Sequence, residues 1–354
     1  MVQSMLIGRY TDTKGISIYQ FNDGDISFMK DTKDILNPSY LYQSENIIYA
    51  LTETIKPSPE PEGGITVYQI EGKDTLRPLW SHKQGYLGSC HITLDPSKKF
   101  ILLGNYGAGS FSASYKESYE QYDSHLTTLI HKDNSPEGNR DSHVHYVCFT
   151  PDEKYMCIVD LGLDSVTGYQ LTDFNQTIEF TKVFESTFVK GTGPRHMCFH
   201  NNKKYAYICG ELNSTIVVME YLGEEGLREV QTISSLTNPS STPSYPSAIK
   251  LSKDSKFLYI ANRMVDTISV FQVDDLSGRI TLVQEIDCKG KFPRDFTFDL
   301  TEKYMVVANQ NSDNLTIFQK DDKTGFLTYS HSIDDVEAPT CVLFYSEEGT
   351  DSKR

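Results

Sequence analysis

The chain has 354 residues, a formal net charge of -15 at pH 7, and many aromatic residues, with 22 Tyr and 18 Phe but one Trp. This negative charge disfavours non-specific binding to nucleic acid or to an anionic membrane, because the field of the whole protein repels polyanions. The length permits either two ordinary domains or one large all-β domain. Since helical periodicity is nearly absent, we expect a single all-β domain over residues 1–354.

Localisation is predicted from what the sequence lacks. No apolar run approaches the roughly 18 residues that a membrane helix needs, and the start, MVQSMLIGRY, has no basic region followed by a long apolar one. The seven cysteines show no paired C-x-x-C spacing, as expected for buried, reduced thiols. We therefore expect a cytoplasmic protein without a disulfide framework, present as a monomer or a weak homo-oligomer.

The chain opens with two apolar runs, MLIGRY and GISIYQF, and ends with a third, APTCVLFYS. Between them, one pattern recurs: a turn signal, a short apolar strand, a polar turn such as DPSKK or TPDEK, a second apolar strand, and an alternating strand. The six full copies begin at Pro38, Cys90, His143, Gly193, Tyr245 and Phe292. The opening and closing runs together supply a seventh, split copy.

The ends of the second strands set the register of the repeat. They fall at Arg9, Thr52, Asn105, Asp160, Gly210, Asn262 and Asn309. The spacings between them lie between 43 and 55 residues, and a period of this length with several short strands per repeat is typical of a β-propeller. We predict seven blades, one of which is closed by pairing of the N- and C-terminal strands, since closure removes two exposed sheet edges.

Two stretches interrupt the repeat. Residues 56–64 read KPSPEPEGG, and residues 116–141 are long and polar. The second stretch exceeds ordinary connection lengths, so we predict a long loop insertion, either a lid or a solvated segment.

The same register predicts the mouth of the central channel. In an antiparallel blade, the start of the innermost strand and the end of the second strand lie on one rim. The first-strand positions are Ser39, Cys90, His145, Arg195, Ser247, Arg294 and Thr340; the positions just past the second strand are Tyr10, Glu53, Tyr106, Leu161, Glu211, Arg263 and Gln310. Together they place three arginines, two glutamates and a histidine around one opening.

This composition favours a small anion, because a guanidinium offers a planar fork of donors that matches carboxylate and phosphate oxygens. Glu211 and His145 are both candidates for a general base on a water molecule. An alternative is that the arginines and glutamates pair across neighbouring blades and only stabilise the ring. His91 and His196 lie one position further along their strands, where alternation turns them away from the mouth, and we expect them to form hydrogen bonds between blades.

His143 adds a further possibility. An H-x-H pair on a strand presents both rings on one face and could bind a metal, although the sequence specifies no partner carboxylate. No G-x-S-x-G elbow, P-loop or dinucleotide-binding glycine motif occurs. A covalent serine or cysteine mechanism is therefore disfavoured.

The motifs around these positions carry a resemblance to a known family. They include YALTE (49–53), GNYGAGSFS (104–112), SHVHY (142–146), GPRHMCFH (193–200) and GELNST (210–215). With these, the chain resembles the lactonase family of seven-bladed propellers, which includes propeller-type 6-phosphogluconolactonases and the fungal carboxy-cis,cis-muconate cyclases. The resemblance implies hydrolysis of 6-phospho-D-glucono-1,5-lactone in the oxidative pentose phosphate route, without a metal or organic cofactor.

The resemblance also implies site residues. The motif positions of the muconate cyclase branch fall on His145, Arg195, Glu211 and Arg263. We therefore predict Glu211, His145 and Arg195 as catalytic, and Arg263, Arg294, Glu53 and His143 as substrate-binding. Two rival functions stay open: a lactonising or isomerising enzyme acting on a dicarboxylate, and a non-catalytic propeller that binds a small phosphorylated or carboxylated ligand.

Overall fold

The computed structural model describes residues 2–53, 63–83, 88–116, 126–133, 138–174, 177–238 and 243–345. These residues form seven four-stranded antiparallel sheets arranged as the blades of a propeller. The described part of the chain contains one short 3₁₀ helix, Gly223–Glu225. No helix within these ranges is long and apolar enough to cross a bilayer.

The strands of each blade are ordered from the innermost, at the channel, to the outermost. Blade 1 consists of β28 (Pro339–Tyr345), β1 (Val2–Arg9), β2 (Ser17–Asn22) and β3 (Asp25–Asp31). Blade 2 consists of β4 (Pro38–Ser44), β5 (Ile47–Thr52), β6 (Gly64–Glu71) and β7 (Thr75–Lys83). Blade 3 consists of β8 (Ser89–Leu94), β9 (Phe100–Asn105), β10 (Ser110–Tyr115) and β11 (Thr127–Ile130).

The remaining blades follow the same order. Blade 4 consists of β12 (Val144–Phe149), β13 (Met156–Asp160), β14 (Ser165–Phe174) and β15 (Thr177–Thr187). Blade 5 consists of β16 (Pro194–Phe199), β17 (Tyr205–Gly210), β18 (Thr215–Tyr221) and β19 (Leu227–Ser234). Blade 6 consists of β20 (Pro246–Leu251), β21 (Phe257–Asn262), β22 (Thr267–Val273) and β23 (Ile280–Asp287). Blade 7 consists of β24 (Pro293–Phe298), β25 (Tyr304–Asn309), β26 (Asn314–Lys320) and β27 (Leu327–Ile333).

The predicted closure is confirmed. Strand β28 pairs with β1, with Leu6 opposite Leu343 and Ile7 opposite Val342. The core is divided into seven apolar clusters, and each fills the space between two neighbouring blades. Closing the ring thus buries apolar side chains on both faces of every blade, which stabilises the ring as a unit.

The predicted register is also confirmed. The seven second strands end at Arg9, Thr52, Asn105, Asp160, Gly210, Asn262 and Asn309, the positions expected from the repeat. Several of these side chains bind the next strand of their own blade. Asn105 Nδ2, for example, donates to Ser112 Oγ at 2.9 Å, and Asn309 Nδ2 donates to Thr316 Oγ1 at 3.1 Å.

The predicted loop over residues 116–141 needs correction, because β11 lies within it and completes blade 3 by pairing with β10. This strand has four half-exposed or exposed residues, TTLI, so its sequence carries little apolar alternation. Residues 117–125 and 134–137 lie outside the described residues, as does most of the 56–64 stretch. Of the remainder, His131 binds Asp160 of blade 4, with Nδ1 and Oδ2 2.6 Å apart.

Candidate active site

A β-bulge lies at the start of every innermost strand, where the pairing with the second strand shifts register. The mouth residues lie within these bulges: Ser39, Cys90, His145, Arg195, Ser247, Arg294 and Thr340. Because a bulge bends a strand and re-aims its side chains, it can turn a side chain toward the channel without breaking the rest of the strand.

Side chains from these bulges surround a pocket at the mouth. Its walls are formed by Ser39, Tyr40, Glu53, Cys90, His145, Arg195, His196, Arg294, Asp295 and Thr340. Four predicted site residues are therefore brought together directly: Glu53, His145, Arg195 and Arg294. Glu211 and Arg263 are not among these wall residues; Glu211 contacts Arg195, and Arg263 contacts Glu211.

Glu211 lies between two arginines from different strands, and we call these three residues the Glu211 cluster. Arg195 Nε is 2.9 Å from Glu211 Oε2, and Arg263 Nη2 is 2.9 Å from Glu211 Oε1. Neither pair is aligned as a good hydrogen bond, and Arg195 Nε, Glu211 Oε2 and Arg263 Nη2 are buried without a hydrogen-bond partner in the part of the chain that the structure describes. The cluster has two guanidiniums for one carboxylate and so carries excess positive charge.

The two arginines of this cluster are also held by backbone oxygens. Arg195 Nη1 donates to Ser247 O, and Arg263 Nε donates to Tyr245 O at 2.9 Å. Burial and the nearby Arg195 lower the pKa of Arg263 to about 10, despite the opposing effect of Glu211. Arg195 Nη2 and Arg263 Nη1 have no partner among the described residues, so donors remain for a ligand.

A second charged group lies across the mouth and consists of Arg294, Tyr10 and Glu53, which we call the Glu53 cluster. Arg294 Nη2 donates to the Tyr10 hydroxyl at 2.6 Å, and that hydroxyl donates to Glu53 Oε2 at 2.8 Å. Arg294 Nη2 and Glu53 Oε2 are 3.8 Å apart. Burial, opposed by Arg294 but reinforced by Glu53, raises the pKa of Tyr10, which keeps its hydroxyl protonated.

Tyr10 belongs to the predicted rim but was not among the predicted site residues. A single tyrosine among many carries no signal of its own. Its role depends on Arg294 and Glu53, which approach it from blades 7 and 2. The two clusters also show that the predicted pairing between blades does occur, while leaving some arginine donors uncommitted.

His145 projects into the pocket. Its Nδ1 lies 3.9 Å from Cys90 Sγ, and its ring centroid lies 5.2 Å from that of His196. Burial, together with the charges of Arg195 and Arg294, holds the pKa of His145 well below its ordinary value. The imidazole is therefore neutral at physiological pH, and one of its two ring nitrogens carries a lone pair.

His143 lies at the rim, outside the pocket walls. It precedes β12, stacks on Tyr106 with 4.5 Å between ring centroids, and donates from Nδ1 to Tyr106 O at 3.1 Å. The bulge at His145 breaks the alternation that would have presented both histidines on one strand face. Substrate binding by His143 stays a prediction.

The expected hydrogen bonds between blades are found at His91, whose Nδ1 accepts from Val147 N–H at 3.3 Å. Asp295, at the equivalent position of blade 7, accepts from Val342 N–H at 3.1 Å and so performs the same task. His196 departs from the expectation. It lines the pocket and accepts from Arg195 Nη1 at 3.1 Å, because the bulge shifts the alternation that would have turned it away.

Buried residues hold the segments that lead into the innermost strands of blades 4 and 5. Asp160 Oδ1 accepts from His143 N–H at 2.9 Å, and Asp160 Oδ2 accepts from Ser142 Oγ at 2.5 Å. Burial would raise the pKa of Asp160, but the hydrogen bond from His131 and its companions lower it. Before Arg195, Gly193 has φ of +59°, and a Cβ there would lie 2.5 Å from Leu212 Cγ, so a larger residue would require the Leu212 side chain to move.

Comparison with known proteins agrees with this architecture. The family model described as "Lactonase, 7-bladed beta-propeller" matches residues 4–344. The chain is 32% identical over 305 residues to 6-phosphogluconolactonase of Bacillus subtilis (strain 168), covering 84% of this chain and 85% of that protein.

Solved structures are similar over nearly the whole length. A protein from Lactobacillus plantarum superposes with a TM-score of 0.87 at 29% identity, covering 98% of this chain and 100% of that one. The periplasmic gluconolactonase of Pseudomonas aeruginosa gives a TM-score of 0.85 at 25% identity, covering 98% and 99%. On the evidence of its seven blades and of the family match over residues 4–344, the chain belongs to the seven-bladed β-propeller lactonase family.

Proposed function

We propose that this protein hydrolyses a sugar-acid lactone that carries an anionic group, with 6-phospho-D-glucono-1,5-lactone as the substrate and the oxidative pentose phosphate route as its setting. The observation that carries the proposal is a pocket lined by two arginines and a neutral histidine in a chain of the lactonase family. The names of the Bacillus and Pseudomonas relatives support a lactone as substrate. The cytoplasm is part of the proposal, and fractionation of cells would test it, since the Pseudomonas relative is periplasmic.

Arg294 is the candidate to hold the phosphate, because it lies in the pocket wall. Its Nη1 donates to Gln310 Oε1 at 3.3 Å and its Nη2 to the Tyr10 hydroxyl at 2.6 Å, so a phosphate would use the remaining N–H groups of the guanidinium. Burial alone would lower the pKa of Arg294, but Tyr10 and Glu53 together raise it. The guanidinium of Arg294 therefore stays protonated at physiological pH. Arg263 acts less directly, by holding Glu211 against Arg195.

Arg195 is the candidate to stabilise the oxyanion. Its Nη1 donates to Ser247 O, its Nε faces Glu211 Oε2 at 2.9 Å, and Nη2 remains for the substrate. A donor fixed before the reaction stabilises developing negative charge without reorganisation cost.

His145 is a better candidate than Glu211 for the proton acceptor. Both carboxylate oxygens of Glu211 already face arginines at 2.9 Å, whereas the imidazole of His145 is neutral. Burial, followed by the positive charges of Arg195 and Arg294, lowers the pKa of His145. An anionic substrate bound to those arginines would offset the contribution of their charges and raise the pKa toward the range of an effective base.

The reaction then proceeds in two steps. Water attacks the lactone carbonyl carbon while His145 takes one of its protons, and the carbonyl oxygen becomes an oxyanion beside Arg195. The tetrahedral intermediate collapses, the ring C–O bond breaks, and the leaving oxygen takes the proton back from the imidazolium. The open acid is the product, and no covalent enzyme intermediate forms.

The test is rapid kinetics of hydrolysis of the phosphorylated lactone, generated in situ and measured above its spontaneous opening. The wild type should accelerate hydrolysis, and His145→Ala should lose about 10²- to 10⁴-fold of kcat, the usual contribution of a general base. Glu211→Gln should lose less, because it alters only the placement of Arg195. Arg77→Ala serves as the matched control, since Arg77 also pairs with a glutamate but is exposed on an outer strand.

Three outcomes would contradict parts of this scheme. No acceleration by folded wild-type protein would exclude this substrate. A larger loss in Glu211→Gln than in His145→Ala would move the base to Glu211. Equal losses in Arg77→Ala and the site variants would mean that the effects come from folding.

A further inference from the structure

One type of hydrogen bond recurs between the bulges of neighbouring blades. At four of the seven positions, the side chain donates to a backbone carbonyl at the start of the next blade's innermost strand. These bonds are Thr340 Oγ1 to Ser39 O at 2.9 Å, Ser247 Oγ to Pro293 O at 2.7 Å, Cys90 Sγ to His145 O at 3.5 Å, and Arg195 Nη1 to Ser247 O. The side chains of Ser39, His145 and Arg294 make no such bond within the described residues.

Ser39 is the member of this trio that the mechanism does not use. Ser39 lines the pocket, the residue is 4% exposed, and its Oγ is buried without a hydrogen-bond partner among the described residues. A buried hydroxyl without a partner costs free energy. Ser247 occupies the equivalent position in blade 6 with its hydroxyl satisfied, so the backbone geometry does not require Ser39 to remain unpaired.

Glu53 is a charged residue of the pocket wall from the same blade as Ser39; its N–H donates to Asn37 O, two residues before Ser39, at 3.1 Å. Its Oε2 accepts from Tyr10 and faces Arg294, while its Oε1 has no partner in the described ranges. A serine hydroxyl can donate and accept, and a carboxylate oxygen accepts. Together they suit the hydroxyl groups of a ligand, and the carboxylate repels a second anionic group.

We infer that Ser39 and Glu53 form a hydroxyl-binding subsite that selects a polyhydroxylated lactone over a hydroxyl-free lactone or a dicarboxylate. This inference rests on the proposed function and deepens it by naming the feature of the substrate that the far wall of the pocket recognises. The anionic end binds to arginine, and the neutral hydroxyls bind to Ser39 and Glu53.

Selectivity between two lactones tests the subsite. D-Glucono-1,5-lactone carries ring hydroxyls, and δ-valerolactone has the same ring without them. Ser39→Ala should lower kcat/KM for gluconolactone about 10-fold, the effect of one lost hydrogen bond, and should leave δ-valerolactone within about 2-fold of wild type. Equal selectivity in Ser39→Ala and the wild type would overturn the inference.

Ser247→Ala is the matched control, because it removes a hydroxyl from the same ring position. It should keep wild-type selectivity and melt at a lower temperature, since it breaks the bond to Pro293 O. Ser39→Ala should melt at the wild-type temperature or above, because it removes an unpaired buried hydroxyl. If Ser39→Ala melts lower and Ser247→Ala shows the same change of selectivity, the hydroxyl of Ser39 is structural and the inference fails.

A measurement of ligand affinity tests the inference independently of the proposed function. If the wild type accelerates neither of these neutral lactones, calorimetry with 6-phosphogluconate decides the subsite; the proposed reaction itself fails only if the phosphorylated lactone is not hydrolysed either. Binding that is about 10-fold weaker in Ser39→Ala but unchanged in Ser247→Ala would support the subsite without catalysis. Equal affinity in Ser39→Ala and the wild type would exclude it.

Discussion

The Glu211 cluster and the Glu53 cluster draw their members from equivalent strand positions of different blades. In each, a carboxylate just past a second strand contacts an arginine from the bulge of an innermost strand. The third member differs: it is Arg263 in the Glu211 cluster and Tyr10 in the Glu53 cluster. One side therefore has an excess of positive charge, and the other is balanced.

This difference shows how a repeated scaffold builds an asymmetric pocket. The backbone supplies equivalent positions, and the side chain at one of them sets the local charge. The surplus guanidinium of the Glu211 cluster suits negative charge that develops during a reaction. The balanced Glu53 cluster, with hydroxyl and carboxylate groups, suits binding and orientation of a polar substrate.

The largest effect expected from this comparison is on kcat in Arg195→Ala. Removal of an oxyanion donor lowers kcat by about 10²- to 10³-fold, whereas Arg294→Ala should act mainly through KM. Steady-state kinetics of lactone hydrolysis with both variants separates the two clusters. A near wild-type kcat in Arg195→Ala would contradict the role of Arg195 in stabilising the oxyanion. A loss confined to kcat in Arg294→Ala would contradict the role of Arg294 in binding substrate.

A smaller effect is expected on KM in Tyr10→Phe. The change removes the hydroxyl that links Arg294 to Glu53, so KM should rise about 5- to 10-fold with kcat nearly unchanged. Tyr329→Phe is a suitable control, since its hydroxyl contacts Ser332 on an exposed outer strand. A fall in kcat at unchanged KM would instead place Tyr10 with the reacting groups.

The smallest effect concerns the histidines in the channel wall between the clusters. Burial, with a contribution from Arg195, lowers the pKa of His91 to about 3, whereas an unfolded histidine titrates near about 6.5. Between these values the unfolded chain binds more protons, so stability falls as the pH decreases, by at most about 1.4 kcal/mol per pH unit for this residue.

Unfolding by urea at pH 7, 6 and 5 tests this prediction. His91→Gln should be less stable at pH 7, because the bond between blades changes, but its stability should depend less steeply on pH than that of the wild type. Identical pH slopes in the two proteins would show that His91 does not resist protonation in the folded state.

Much of the architecture could be predicted because the same pattern of strands and turns repeats in every blade. Each blade must cover an apolar face of its neighbour, so apolar strands and polar turns recur at similar spacing, and the ends of all seven second strands followed from that register. Strand β11 was missed because an outer strand needs no apolar alternation. The bulges were missed because they depend on strand pairing, and they brought His196 into the pocket against the expected alternation.

The amino-acid order alone specifies the number of blades, their closure and the residue types at the mouth, because these depend on local apolar periodicity. Which side chains pair and which remain for a ligand is decided only in the folded ring. Glu211 contacts Arg195 and Arg263, Tyr10 links Arg294 to Glu53, and the hydroxyl of Ser39 has no partner among the described residues. These contacts join residues far apart in the chain, and their geometry depends on how neighbouring blades pack.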